Sequence, residues 1–149
     1  MPEIEPSEEL VEWAEFESAR EELGAGFARI LMYFREDGAK SVEAIETAMR
    51  ECDAVGLVTP AHTLKGEAFQ FGARPLAELA EHIELTARHY LEMQMTPDEL
   101  VPEVAKLRPV FEATLALFEQ ATNPLVQRRA PDDNRAPDDN VVIRSFGQG

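Results

Sequence analysis

The stretch TPAHTLKGEAFQFGA, Thr59 to Ala73, sets a histidine, a lysine and a glycine at i, i+3 and i+4 of a helix-like segment. An exposed imidazole near neutral pH is in large part uncharged and nucleophilic at nitrogen. In that setting His62 can accept a phosphoryl group in line from a donor held against it. The product gains negative charge in a chain whose formal net charge is already −15. Lys65, one turn along, supplies a cation that offsets roughly 3 kcal/mol at about 5 Å and an effective dielectric of about 20, and less where water and salt screen it. Gly66 costs about 1 kcal/mol relative to alanine in a helix interior. A sequence accepts that cost where something must come close to the backbone.

Helical phase says which way these groups face. At about 100° per residue, Leu57, Ala61, Leu64, Ala68 and Phe71 gather on one side, the core side. His62 points almost directly opposite, flanked by Lys65, Gly66 and Phe69, with Val58 and Thr59 one turn before. Val58 and Phe69 are apolar residues bordering a reactive group on an outward face and read as a docking surface, which also takes in Thr59 and Gln70. Val58 has a competing explanation, contact with the leading helix or the tail.

The elements that must carry this patch are helices. Strand signals are almost absent, whereas period-3.6 patterns run from about Glu8 to Ala121. The segment SEELVEWAEFESAREELG places Leu10, Trp13, Ala14 and Phe16 among glutamates and stops at Gly24, as a helix packing like a lid would. Phe27, Ile30, Leu31, Phe34, Val42, Ile45, Met49 and Cys52 then hold one phase, with Gly38 and Ser41 on the same stripe. This predicts one long helix from about Ala25 to Glu51 with a weak point at Gly38. After a short joint at CDAV, Pro60 suits a first helical turn, and Pro75 suits the first turn of the next helix, whose stripe is Leu76, Leu79, Ala80, Ile83, Ala87 and Tyr90. TPDE predicts a capping box, with Thr96 as N-cap, Pro97 first and Glu99 reaching back. Leu100, Val104, Leu107, Phe111, Leu115 and Phe118 follow, with an irregular first turn at Pro102 and a kink near Lys106 before Pro109. RAPDDNRAPDDN, Arg129 to Asn140, is a tandem hexapeptide too polar to bury a face. The expected architecture is all-α: an antiparallel four-helix bundle with an additional N-terminal helix over residues 1–122, and a flexible low-complexity tail over 123–149.

Composition removes other classes. A length of 149 residues suits one domain, and 44% hydrophobic with 29% charged residues suits a soluble globular one. No apolar run approaches a membrane span, and MPEIEPSEEL lacks the basic-then-apolar layout of a signal peptide, so a cytoplasmic location is the expectation. The acidity disfavours nucleic acid and anionic membranes as partners. Cys52 alone builds neither a disulfide nor a thiolate cage, and reads as a small buried apolar residue. His82 and His89 lie seven apart without metal-ligand spacing. No Gly-rich phosphate loop or kinase nucleotide pocket is visible, so phosphorylation from ATP is not expected of this chain. Ser41 and Ser145 lack a G-x-S-x-G frame.

AHTLKGEAFQFGA followed by LAELAEHIE resembles the histidine-containing phosphotransfer (HPt) domain family of two-component phosphorelays. The matching features are H-x-x-K-G, a second glycine ten residues after the histidine, and an L-x-x-L-x-x-x-[IL]-[EQ] stripe. FARILMYFREDGAKSVEAIETAMRECD resembles the family's long first bundle helix, and the likeness spans roughly Leu10 to Ala121. The resemblance implies a phosphocarrier, not a kinase, in which His62 shuttles phosphate between aspartates of response regulator receiver domains. It assigns Lys65 to balancing the phosphoryl charge and Gly66 to close approach of the receiver. It further implies a hybrid histidine kinase as partner, no cofactor in this chain, and Mg2+ on the receiver only. Gly72 matches the later glycine and serves packing or helix termination. Glu67, Phe69 and Gln70 depart from the usual pattern. Helical phase turns Glu67 away from His62, so transfer is expected to survive it, and Phe69 is expected to narrow the choice of receiver. Two other readings compete: an interaction module that never carries phosphate, and a dimeric kinase-like phosphotransferase. The second is disfavoured because one chain already supplies four principal helices, which predicts a monomer.

Overall fold

The computed structural model describes residues 10–123. Its elements are α1 (Trp13–Leu23), a 3-10 turn (Gly24–Gly26), α2 (Phe27–Arg50), α3 (Ala54–Gln70), α4 (Arg74–Met93), a second 3-10 turn (Asp98–Leu100) and α5 (Val101–Thr122). There is no strand among the described residues. The tandem repeat and the expected flexible tail lie outside them. By its internal packing the chain divides at Leu115. In the second unit the described residues are the end of α5, where Thr122 Oγ1 donates to the Phe118 carbonyl at 2.9 Å.

Connections of a few residues join α2 to α3, α3 to α4 and α4 to α5, as in an antiparallel four-helix bundle, with α1 as the additional helix. The long helix α2 runs unbroken through Gly38, burying Phe27, Phe34, Gly38, Ser41, Val42, Ile45 and Met49. Gly38 is a packing requirement rather than a weak point. A Cβ there would stand 2.5 Å from Phe111 Cε1, so the glycine seats that ring of α5 against α2. Arg108 of α5 clamps Glu46 of α2 through Nε at 3.0 Å and Nη2 at 2.8 Å. Ile30 and Leu31, at the edges of the stripe, are only half-buried.

The joint after α2 differs from its expected form. The stripe's phase ends with the helix at Arg50, and Cys52 falls in the connector with φ 54°, exposed rather than buried. Asp53 caps α3, accepting from the Gly56 amide at 3.1 Å. The helix therefore starts at Ala54, and Pro60 lies in its interior, not its first turn. Pro60 and Gly66 disfavour helix by about 3 and 1 kcal/mol. Burial of Leu57, Leu64 and Phe71 contributes about 1.5–3 kcal/mol each and offsets both.

Helix α1 begins at Trp13, later than the periodicity suggested, and docks on the α3–α4 turn. The Glu12 amide donates to the Gly72 carbonyl at 2.8 Å. Gly72 has φ 77°, and a Cβ on it would meet the Glu12 carbonyl oxygen at 2.6 Å. Backbone conformation and close approach both demand glycine there, in line with a packing role. Phe16 is buried, Trp13 half-buried and Ala14 exposed. Edge-to-face contacts run from Trp13 to Phe16, Phe27 and Phe71, and Phe34 joins Phe71 to Phe111. This ladder ties α1, α2, the end of α3 and α5 into one core.

Before α5 the expected capping box does not form. Pro97 precedes the 3-10 turn, Thr96 Oγ1 donates to Asp98 Oδ2 at 3.2 Å, and Glu99 instead accepts from the Tyr90 hydroxyl. The turn at Asp98–Leu100 is the irregular start expected beside Pro102, and α5 continues through Pro109.

Candidate functional site

The inward face of α3 is fixed by Leu57, Ala61, Leu64, Ala68 and Phe71, all essentially inaccessible. With that face anchored, His62 is turned outward, its side chain 60% exposed. Gly66, one turn on, leaves bare backbone beside it, and a Cβ there would have nothing within 4 Å. Nothing in the described chain itself requires a glycine at this position.

The imidazole does not stand alone. Its Nδ1 lies 3.0 Å from Oε2 of Glu84 on α4. The Lys65 ammonium lies 3.0 Å from Oε1 of the same carboxylate, off the direction of an aligned hydrogen bond, so this buried oxygen keeps acceptor capacity. Arg88, one turn along α4, donates to Oε2 through Nε at 3.0 Å and Nη2 at 2.8 Å. The Glu84 side chain is only 4% exposed. Burial pushes its carboxyl upward, but Lys65, Arg88 and His62 together outweigh burial and hold it at about 2. Glu84 is therefore a buried anion with three partners.

That charge state fixes the imidazole tautomer. An ionised carboxylate can only accept, so Nδ1 must carry the proton it shares with Oε2. In the neutral ring Nε2 then keeps the lone pair, the nitrogen available for nucleophilic attack.

The structure brings His62, Lys65 and Gly66 onto one patch, but Lys65 is drawn down on Glu84 and its side chain is 20% exposed. Of the expected docking residues, Thr59, Phe69 and Gln70 are exposed and Val58 is half-buried. Phe69 is 42% exposed, and Val55 is 65% exposed. These two apolar side chains lie seven residues after and seven before His62, about 10 Å along the helix in each direction. Glu67 faces elsewhere, half-buried toward α2. Burial, then the charge of Asp37, raises its carboxyl, and its Oε1 has no hydrogen-bond partner. His82 and His89 are exposed on α4, and the described residues contain no group of side chains suited to a metal.

Sequence reasoning gave no role to Glu84, Arg88 or Val55, although the [EQ] position that closes the quoted LAELAEHIE stripe is Glu84. For Glu84 a signal existed. It lies four residues after Ala80 and three before Ala87, an acid on the buried stripe of α4, with an arginine at i+4. A charge in that position needs partners from a neighbouring helix.

The described residues thus form an all-α bundle in which one exposed imidazole, His62, is backed by a buried carboxylate and a lysine. Residues 29–122 match the family model of the Hpt domain, and the chain belongs to that family. Membership supports a histidine phosphotransfer role in a phosphorelay. Among solved structures, the fold is similar to histidine-containing phosphotransfer protein B from Pseudomonas aeruginosa PAO1. The TM-score is 0.66 at 23% identity, covering 80% of this chain and 96% of that one. No curated protein sequence matches the chain. No helix among the described residues is long and apolar enough to cross a membrane.

Proposed function

We propose that His62 is the phosphoacceptor of a relay intermediate, taking a phosphoryl group from the aspartyl phosphate of one receiver domain and passing it to another. The observation that carries this reading is the exposed imidazole whose Nδ1 is engaged by an ionised, buried carboxylate. In the transfer, the Nε2 lone pair attacks phosphorus, the Nε2–P bond forms, and the P–O bond to the aspartate breaks with its electron pair leaving on the carboxylate. Lys65 stands one turn away to offset the added charge, and Gly66 gives the receiver access to the helix. Val58, Thr59, Phe69 and Gln70 form the contact surface, and the exposure of Val55 supports including it. Mg2+ is assigned to the receiver, a hybrid histidine kinase to the upstream step, and the chain is read as a cytoplasmic monomer.

Incubation with a phosphorylated receiver tests the reading. Acid-labile, alkali-stable phosphate on the wild type and none on His62→Gln is the expected result. Label on neither protein, with the folded chain still binding receivers, would favour a phosphate-independent interaction module instead.

A further inference from the structure

Exposed apolar side chains are spread unevenly about His62. Toward the end of α3 stands Phe69, opposite a buried Ala77 on α4. Toward the start of α3 the surface is richer. The short turn at 71–73 folds α4 back along α3, and the His62–Glu84 contact fixes their register. Seven residues back along α3 and seven forward along α4, about 10 Å each, bring Val55 level with Leu91. Seven residues is also nearly two turns, so Val55 keeps the outward phase of His62 and Leu91 the α3-facing phase of Glu84. Both are nevertheless exposed, Val55 by 65% and Leu91 by 37%.

The end of α4 supplies a third side chain. Gln94 closes the helix in the left-handed conformation, with φ 57°. Its amide donates to the Leu91 carbonyl at 3.1 Å, and the Met95 amide to the Tyr90 carbonyl at 2.9 Å. This doubly bonded C-terminal turn folds the chain back over the last turn of α4 and returns Met95, 53% exposed, to the level of Leu91.

Continuity and chemistry together say what covers these residues. Val55 borders the surface assigned to the receiver, so a partner seated over His62 extends to Leu91 and Met95 within one more helical turn or two. A relay intermediate must also seat two receivers in turn on one site. Methionine, unbranched and polarizable, moulds itself to differing apolar surfaces. The net charge of −15 disfavours a second copy of the chain as the occupant, because like molecules repel.

Resting on the phosphocarrier reading, we infer that Val55, Leu91 and Met95 form an adaptable apolar shoulder for receiver domains, extending the contact surface from His62 toward the end of the bundle where α3 begins and α4 ends. The shoulder binds and takes no part in bond making. Glu51, Asp53 and Glu92, all exposed around it, suit receivers that surround an apolar patch with basic residues.

The test measures the initial rate of transfer from a phosphorylated receiver over a range of receiver concentrations, for wild type, Leu91→Glu and Met95→Glu. In each variant the concentration giving half-maximal rate should rise about tenfold, the effect of losing one apolar interface contact, with the saturated rate unchanged. Phosphoramidate, a small donor that needs no docking, should phosphorylate wild type and variants equally, which verifies that the variants fold. Unchanged half-saturation in both variants would overturn the inference. The methionine methyl NMR signals of the wild type, followed as unphosphorylated receiver is added, give a reading free of substitution. Met95 should shift and Met32 should not, since Met32 lies nearly four turns before Glu46, on the side of α2 that meets Arg108 of α5. Met95 unmoved by receiver, or moved by raising the concentration of the chain alone as a second copy on the shoulder would do, would overturn the inference. Failure of the wild type to take phosphate at His62 from either donor would instead defeat the underlying reading, a distinguishable outcome.

Discussion

His62 Nδ1 and Glu84 Oε2 stand 3.0 Å apart across the α3–α4 interface, joining an exposed ring to a buried carboxylate. Chemistry at the surface is thereby coupled to packing below it. The imidazole gains a fixed tautomer, and Glu84 gains one of the partners that make its burial tolerable. A change on either side will be read on the other.

Gly38 and Gly66 both sit inside helices and should respond to alanine with opposite signs. Gly38→Ala drives a methyl into the Phe111 ring and should destabilise by about 1–3 kcal/mol in denaturant unfolding. Gly66→Ala meets open space and should stabilise by about 0.5–1 kcal/mol, while slowing phosphotransfer. A stabilised Gly66→Ala protein with undiminished transfer would remove the close-approach role.

Acid should weaken the fold through Glu84. Its folded value of about 2 lies below the ordinary 4.5. The stabilisation is therefore fully present above about pH 4.5 and is lost as pH falls toward 2. The contribution is about 1–3 kcal/mol, given half-exposed partners. Unfolding at pH 7 and pH 3 should show a smaller acid loss for Glu84→Gln than for wild type, and equal losses would argue against the ion cluster.

Glu67 titrates the other way. Burial and Asp37 raise it, so its contribution is favourable below the ordinary value and is lost as pH rises through the raised one. Glu67→Met should stabilise by roughly 0.5–1 kcal/mol at pH 7 and by less at pH 4. Phosphotransfer should persist, since Glu67 faces α2 rather than His62.

Lys65 must be shared between Glu84 and an arriving phosphoryl group. Lys65→Ala should lower the phosphorylated fraction at equilibrium with a receiver by about tenfold, the equivalent of one charge-assisted hydrogen bond. Lys65→Arg should recover part of it. Quantifying phosphorylated chain against phosphorylated receiver checks both.

Much of this was legible in the sequence because periodicity reports burial. The α3 stripe from Leu57 to Phe71 gave the outward direction of His62, and the unbroken phase across Gly38 gave a single long α2. Local signals did worse where tertiary contacts compete with them. Asp53 took the cap and placed Pro60 inside the helix, and Tyr90 took Glu99 from the expected box. The [EQ] position of the quoted stripe is Glu84, but its pairing with His62 escaped because the two lie 22 residues apart, and no local period joins an acid on one helix to an imidazole on another.

The most direct measurement is phosphorus- and nitrogen-resolved NMR of the chain after phosphorylation by a receiver. The account predicts one phosphoryl group, bonded to Nε2 of His62, with the proton on Nδ1. Phosphate on Nδ1, or on any other residue, would contradict it.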